Sequence, residues 1–223
     1  MAVSNYNLEQ LQQLALDRVE SNSLMFTLPK VTAVINESIQ VINLISGFLQ
    51  STIAVPGNSV QNQLVYQTPV GILFPLRVQF NGTQLNPTPL WQLASDYYTW
   101  ATDNTNKRGS VSRWAPIGIN NFVIHPADSI GGGTIFVTGV IEPTPLVNPD
   151  DSMPLEDEFV SLIMTYCAHR LVFIEGGQPF AQAAPNYQEF LSVMKSKKMF
   201  AELRFPRFFV MSGAPTLEAK SNR

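Results

Sequence analysis

Cysteine occurs once among the 223 residues, at Cys167, and histidine twice, at His125 and His169. A single cysteine excludes an intrachain disulfide framework and any zinc site built from several thiolates, so stability has to come from packing or from association with other chains. Two histidines and scattered acids give no ligand spacing for a transition metal. Charge is scarce as well: only 14% of residues are charged, while the 45% hydrophobic content is enough to bury a core. With thirteen glycines and sixteen prolines the chain has the texture of an assembled, β-rich protein more than of a free cytosolic enzyme. Long apolar runs are missing too. The most apolar stretch, VTAVINESIQVINLISGFLQ, is interrupted by Asn36, Glu37, Ser38, Gln40 and Asn43, which would be costly in lipid. The opening MAVSNYNLEQLQQLALDRVE has no basic start followed by an apolar run, and the expectation is a chain without a secretory signal that stays where it is made.

What is present divides into three stretches. Asn7 followed by Gln10 marks a helix start, and Leu8, Leu11, Ala15 and Val19 recur at helical spacing, which predicts a helix over residues 7–21. A second helix opens near Thr27 and Pro29 and carries the stripe Val31, Val34 or Ile35, Ile39, Ile42, Ile45 and Leu49. Its β-branched content suggests a strand, but about twenty residues without a turn signal decide for helix. From Ser51 to about Asp150 prolines recur and apolar positions alternate, as in Leu76, Val78 and Phe80 against Arg77 and Gln79. This is a β region, with a hairpin at Asn81-Gly82, strands at NQLVYQ, NNFVIHP and TIFVTGVIEP, and a short helix at PLWQLASDYYTWA. Helical spacing then returns. One helix has Pro154 and the acids Glu156, Asp157 and Glu158 in its first turn, the inner face Leu155, Phe159, Leu162, Ile163 and Tyr166, and an end at Gly176-Gly177. A fourth runs from about Asn186 to Arg204 with Tyr187, Phe190, Leu191, Met194 and Met199 as apolar positions. The expected fold class is α+β: residues 1–50 and 151–204 form a helical bundle, residues 51–150 an inserted antiparallel β domain, and residues 205–223 an extended arm.

Catalytic chemistry has little to stand on. Cys167 and His169, two apart on a helix, project about 200° from each other and cannot act together as nucleophile and base. Glu156, Asp157 and Glu158 are explained by the helix dipole, and Gly131-Gly132-Gly133-Thr134 lacks the Gly-Lys-Ser/Thr ending of a phosphate loop and enters a strand. Asn36-Glu37-Ser38 and Asn81-Gly82-Thr83 match glycosylation acceptors, and are read as a helix surface and a hairpin tip. The expectation is a protein without catalytic residues, cofactor or metal.

Two features point outward instead. Trp91, Trp100 and Trp114, with Tyr97 and Tyr98, crowd aromatics into 24 residues; they are helix-to-sheet packing, an inter-subunit contact, or a stacking platform for sugars or bases. Residues 195–223 hold seven basic residues against two acidic ones, a net of +5 on a chain whose remainder is acidic. Within LRFPRFFV, Arg204 and Arg207 alternate with Phe205, Phe208 and Phe209, and Lys220 follows. Exposed aromatics on a tail are an aggregation hazard unless they dock on something, so the arm is read as a docking segment, ahead of a solvated terminus or a DNA-binding tail.

The arrangement resembles the head-to-tail adaptor (connector) proteins of tailed bacteriophages. The carriers are LPKVTAVINESIQVIN with its Ile-Asn-Glu core, RWAPIGINNFVIHP, the returning helix PLEDEFVSLIMTYCAHRLVFIEGG, and NYQEFLSVMK. That resemblance implies a helical bundle with a β insertion, made in the host cytoplasm and assembled in the neck of the virion between capsid and tail. It implies a homo-oligomeric ring of about twelve copies below the portal protein, with DNA passing through the channel without sequence-specific binding and no membrane contact. The C-terminal arm (Arg204, Phe205, Arg207, Phe208, Phe209, Lys220) would dock onto the portal, leaving the insertion with Trp91, Tyr97, Tyr98 and Trp100 for a tail or nozzle protein, fibres or the next subunit. The long β insertion departs from the smallest, all-helical adaptors. A neck stopper and a tail-nozzle protein share this texture, and a carbohydrate-binding or host-recognition module using Trp91, Tyr97, Tyr98 and Trp100 is the alternative from another class.

Overall fold

The computed structural model describes residues 4–19, 26–96, 110–118, 120–175 and 180–204. Its helices are α1 (Leu8–Arg18), α2 (Leu28–Ser46), α3 (Leu90–Asp96), α4 (Val160–Glu175) and α5 (Phe180–Arg204). Its strands are β1 (Gln50–Ala54), β2 (Val65–Gln67), β3 (Ile72–Phe80), β4 (Thr83–Gln84), β5 (Asn86–Pro87), β6 (Arg113–Ile117), β7 (Asn121–His125) and β8 (Ile135–Ile141). The fold is therefore mixed α+β. The chain divides into two compact units, one of Met1–Leu49 with Glu142–Ala201 and one built on Gln50–Ile141.

In the first unit α1 begins as its sequence dictates. The Asn7 side chain accepts from the Gln10 amide and the Gln10 side chain accepts from the Asn7 amide, a reciprocal capping box. The next donors, Leu8 and Glu9 N–H, go to the carbonyls of Asp151 and Pro149, so the returning chain completes the cap. The helix stops at Arg18, short of the expected residue 21, with Val19 as its cap; residues 20 and 21 lie outside the described residues. α2 buries Val31, Val34, Ile35, Ile39 and Ile42. It ends three residues before the expected Leu49, because Gly47 adopts φ 61° and its N–H bonds to Asn43 O.

α4 departs furthest from a one-stripe helix. Leu162, Ile163, Tyr166 and the other expected inner positions are buried, but so are Met164, Thr165, Cys167 and Ala168, so the helix is covered on nearly every side. The acids expected in its first turn precede it: Asp157–Phe159 form a 3-10 turn capped by Glu156 with no side-chain bond. Asp157 instead accepts from Ser4 Oγ, Asn5 N–H and Asn5 Nδ2, fastening the chain's beginning. Gly176-Gly177 lie outside the described residues. α5 starts at Phe180, six residues before the expected Asn186, with Pro185 inside it. Phe190 and Met194 are buried as expected, whereas Tyr187 is exposed and Met199 lies outside the described side chains.

The second unit holds two four-stranded sheets, ordered β1-β8-β3-β4 and β2-β7-β6-β5. All pairings are antiparallel except a two-residue parallel contact of β5 with β6. Asn81 and Gly82, at φ 49° and 78°, turn β3 into β4 as the type I′ signal predicts. NQLVYQ yields only Val65–Gln67, while NNFVIHP and TIFVTGVIEP yield β7 and β8. Residues 142–150 carry no strand, and belong with the first unit. The core joins residues of both sheets around the fully buried Trp114, among them Tyr66, Val78, Phe122, Ile124, Ile135 and Val137. The short helix is α3, which buries Leu93 against Ala115 and Val123; the rest of its expected span lies outside the described residues.

Candidate functional site

Ile35, Asn36 and Glu37 on α2 all hold structural positions. Ile35 is fully buried. Its neighbour Asn36 pairs with the backbone of Leu146: Nδ2 donates to the carbonyl and Oδ1 accepts from the N–H, both at 2.9 Å. Glu37 receives the Tyr166 hydroxyl on Oε1 at 2.8 Å and the Arg170 guanidinium on Oε2 at 3.2 Å and 3.3 Å. Burial, and then the Glu37 carboxylate, push the Tyr166 phenol up, so it stays a neutral donor. In this cluster the Glu37 carboxylate has a partner on each oxygen.

Cys167 and His169 have similarly settled surroundings. Cys167 is fully buried, and that burial pushes its thiol up to about 12, far from a reactive thiolate. His169 hydrogen-bonds through Nδ1 to Ala183 O at 2.8 Å, and its ring lies 4.8 Å from that of Tyr187. It ties α4 to α5. His125 is 2% exposed at the end of β7, in the other unit, before a cis peptide to Pro126. Among the described residues no group of three or more His, Cys, Asp or Glu is placed to hold a metal ion. No helix among them is long and apolar enough to cross a membrane.

The glycine-rich stretch is a clasp. Ser59 N–H and O bond to Gly133 O and Gly132 N–H, and Ser59 Oγ accepts from Gly133 N–H while donating to Asp128. Burial pushes the Asp128 carboxyl up, but the Ser59 hydroxyl and the amides of Ile130, Gly131 and Gly133 outweigh it, and the net value falls below the usual carboxylate range. The Ile130 amide is thus spent on the Asp128 carboxylate and the Gly133 amide on Ser59 Oγ. The clasp fixes the loop from Pro56 to Gln63, which with Thr68–Val70 borders an open cleft of about 340 Å³. Nothing in the sequence singled this cleft out.

Of the proposed interface aromatics, Trp91 on α3 is 71% exposed and Trp114 is core. Tyr97, Tyr98 and Trp100 lie outside the described residues, as do the side chain of Arg204 and all of Phe205, Arg207, Phe208, Phe209 and Lys220. The arm assigned to residues 205–223 thus falls entirely outside them. No protein-family model and no curated protein matches the chain.

Proposed function

We propose that this chain is a structural virion protein, a head-to-tail adaptor that joins the portal to the tail as a ring of about twelve copies around the DNA channel. In this reading the first unit is the bundle that packs into the ring, the β unit is its insertion, and residues 205–223 are the arm that engages the portal. The observation that carries the reading is the composition of the C-terminal segment: a net +5 with arginines alternating with phenylalanines, attached to an acidic body.

Mixing the full chain with the portal ring encoded alongside it, and counting bound copies by native mass spectrometry, tests the reading. About twelve copies are expected, lost when the chain is truncated after Arg204. No binding to a competent portal ring overturns it in favour of a stopper or nozzle role. A second reading, glycan or host recognition, rests on the 71% exposure of Trp91 beside Tyr97, Tyr98 and Trp100 in sequence.

A further inference from the structure

The β unit is poor in charge beyond the average of the chain. Between residues 50 and 141 the only charged residues are Arg77, Lys107, Arg108 and Arg113 against Asp96, Asp103 and Asp128, and Asp128 is buried in its clasp. Polar character there comes from amides and hydroxyls. The 340 Å³ cleft concentrates this chemistry: exposed amides of Asn58 and Gln67 stand beside Thr68, with Val60 and Val70 as exposed apolar neighbours, and no Asp, Glu, Lys or Arg is among its lining residues.

Its walls are set before any ligand arrives. The Tyr66 hydroxyl accepts from Val60 N–H at 3.2 Å, Ser59 is held by Asp128 and Gly133, and Thr68 N–H bonds to Asn120 O at 2.8 Å. Gly57 and Asn58 turn at φ 87° and 59°. A fixed cleft loses little conformational freedom on binding.

We propose that this cleft binds a neutral, hydroxyl-rich ligand, a short glycan. A primary amide carries a donor and an acceptor side by side, which matches adjacent hydroxyls of a sugar ring, and the valines suit its C–H faces. Charged ligands lack a counter-charge there. The volume lies at the lower end of the range of about 300–1,000 Å³ usual for ligand clefts, which suits a short ligand. An added peptide strand is disfavoured, although β2 is the edge of its sheet. The Leu64 carbonyl and Thr68 N–H face β7, so Val65 and Gln67 turn their backbone outward. Gln63 Nε2 already covers Val65 O at 2.7 Å, and Pro69 has no N–H to offer. The inference goes beyond the adaptor reading and does not depend on it.

Calorimetric titration of the full chain with neutral oligosaccharides of glucose, galactose, mannose and N-acetylglucosamine, two to four sugars long, tests it. At least one should bind. Gln67→Ala and Val70→Arg, both at exposed positions, should each weaken that binding by about tenfold or more, and Trp91→Ala should leave it unchanged. Absence of binding across the panel overturns the proposal, as does binding that survives both cleft variants or is lost only in Trp91→Ala. Capture of uncharged peptides in place of sugars, abolished by the same two variants, assigns the cleft to a protein partner and equally overturns it. Portal binding by the same variants is a separate readout: its retention or loss bears on the adaptor reading alone.

Discussion

The side-chain amide of Asn36 and the backbone of Leu146 form a reciprocal pair, with Nδ2 to carbonyl and N–H to Oδ1 both at 2.9 Å. A side chain on α2 thereby acts as a short strand edge for the segment that returns from the β unit, and Leu146 itself is buried. The neighbouring Glu37 does comparable work toward α4 through Tyr166 and Arg170.

Replacing Asn36 by alanine removes both bonds and strands a backbone donor and acceptor, a loss of about 2–3 kcal/mol for a partly buried pair. Arg170→Ala should cost less than about 1 kcal/mol, because its bridge to Glu37 is one-third exposed and screened by solvent. Urea denaturation of the two variants separates the cases. Equal losses would mean that the Asn36 pair is not holding the returning segment.

Acid should destabilise the protein in a defined window. Asp128 is held below its ordinary 3.8 by Ser59 and neighbouring amides acting against burial, Asp151 by the amides of Val147 and Asn148, and Asp157 by Ser4 and Asn5. Each depressed value means that the folded chain binds fewer protons than the unfolded chain near that pH. The stability they contribute is fully present above about pH 4 and is lost as pH falls further through the folded values. Urea midpoints should be flat in this respect between pH 7 and 5 and fall by pH 3. Asp128→Asn should lower the midpoint at pH 7 and narrow its gap to the parent at pH 3; a gap that stays constant with pH would remove Asp128 from the explanation.

Cys167 should be silent in the folded state. Raising its thiol from 9.0 to about 12 cuts the thiolate fraction at pH 8 by about a thousandfold, and full burial denies a reagent access. Labelling by a thiol reagent should proceed only in denaturant. Rapid labelling of the native protein would show that α4 opens locally, or that its burial is transient.

Local signals in the sequence carried well into the structure. Asn7 with Gln10, and Asn81-Gly82, each specify their geometry within four residues, so the α1 start and the β3–β4 turn were legible. The start of α5 was not. The helix begins at Phe180, ahead of Pro185, and accepts the N–H missing at that proline. β6 was hidden because Arg-Trp-Ala-Pro-Ile shows no clean alternation, and pairing with β7 decides it. The cleft was illegible for a further reason: its walls meet only after β2 pairs with β7, far along the chain, and loops 57–62 and 128–133 are clasped together. The proposed arm remains a reading of composition.

Gly139 and Gly82 should respond very differently to alanine. At Gly82 a Cβ would meet nothing within 4 Å, so Gly82→Ala costs only the strain of φ 78°, about 1 kcal/mol. Gly139 lies in the middle of β8, where β3 changes register between Ile72 and Phe74 and again between Pro75 and Arg77. A Cβ there would sit 2.5 Å from the Phe74 carbonyl oxygen and within contact distance of Ile72 Cγ2. A side-chain tip can swing aside, but the carbonyl belongs to the paired strand, so the sheet itself has to shift. Gly139→Ala should therefore cost about 2–3 kcal/mol, in the range of overpacked cores, and lower Tm well below that of Gly82→Ala. If Gly82→Ala proves the more damaging of the two, β3 and β8 do not approach as closely as this glycine requires, and the register of the central pair in that sheet is wrong.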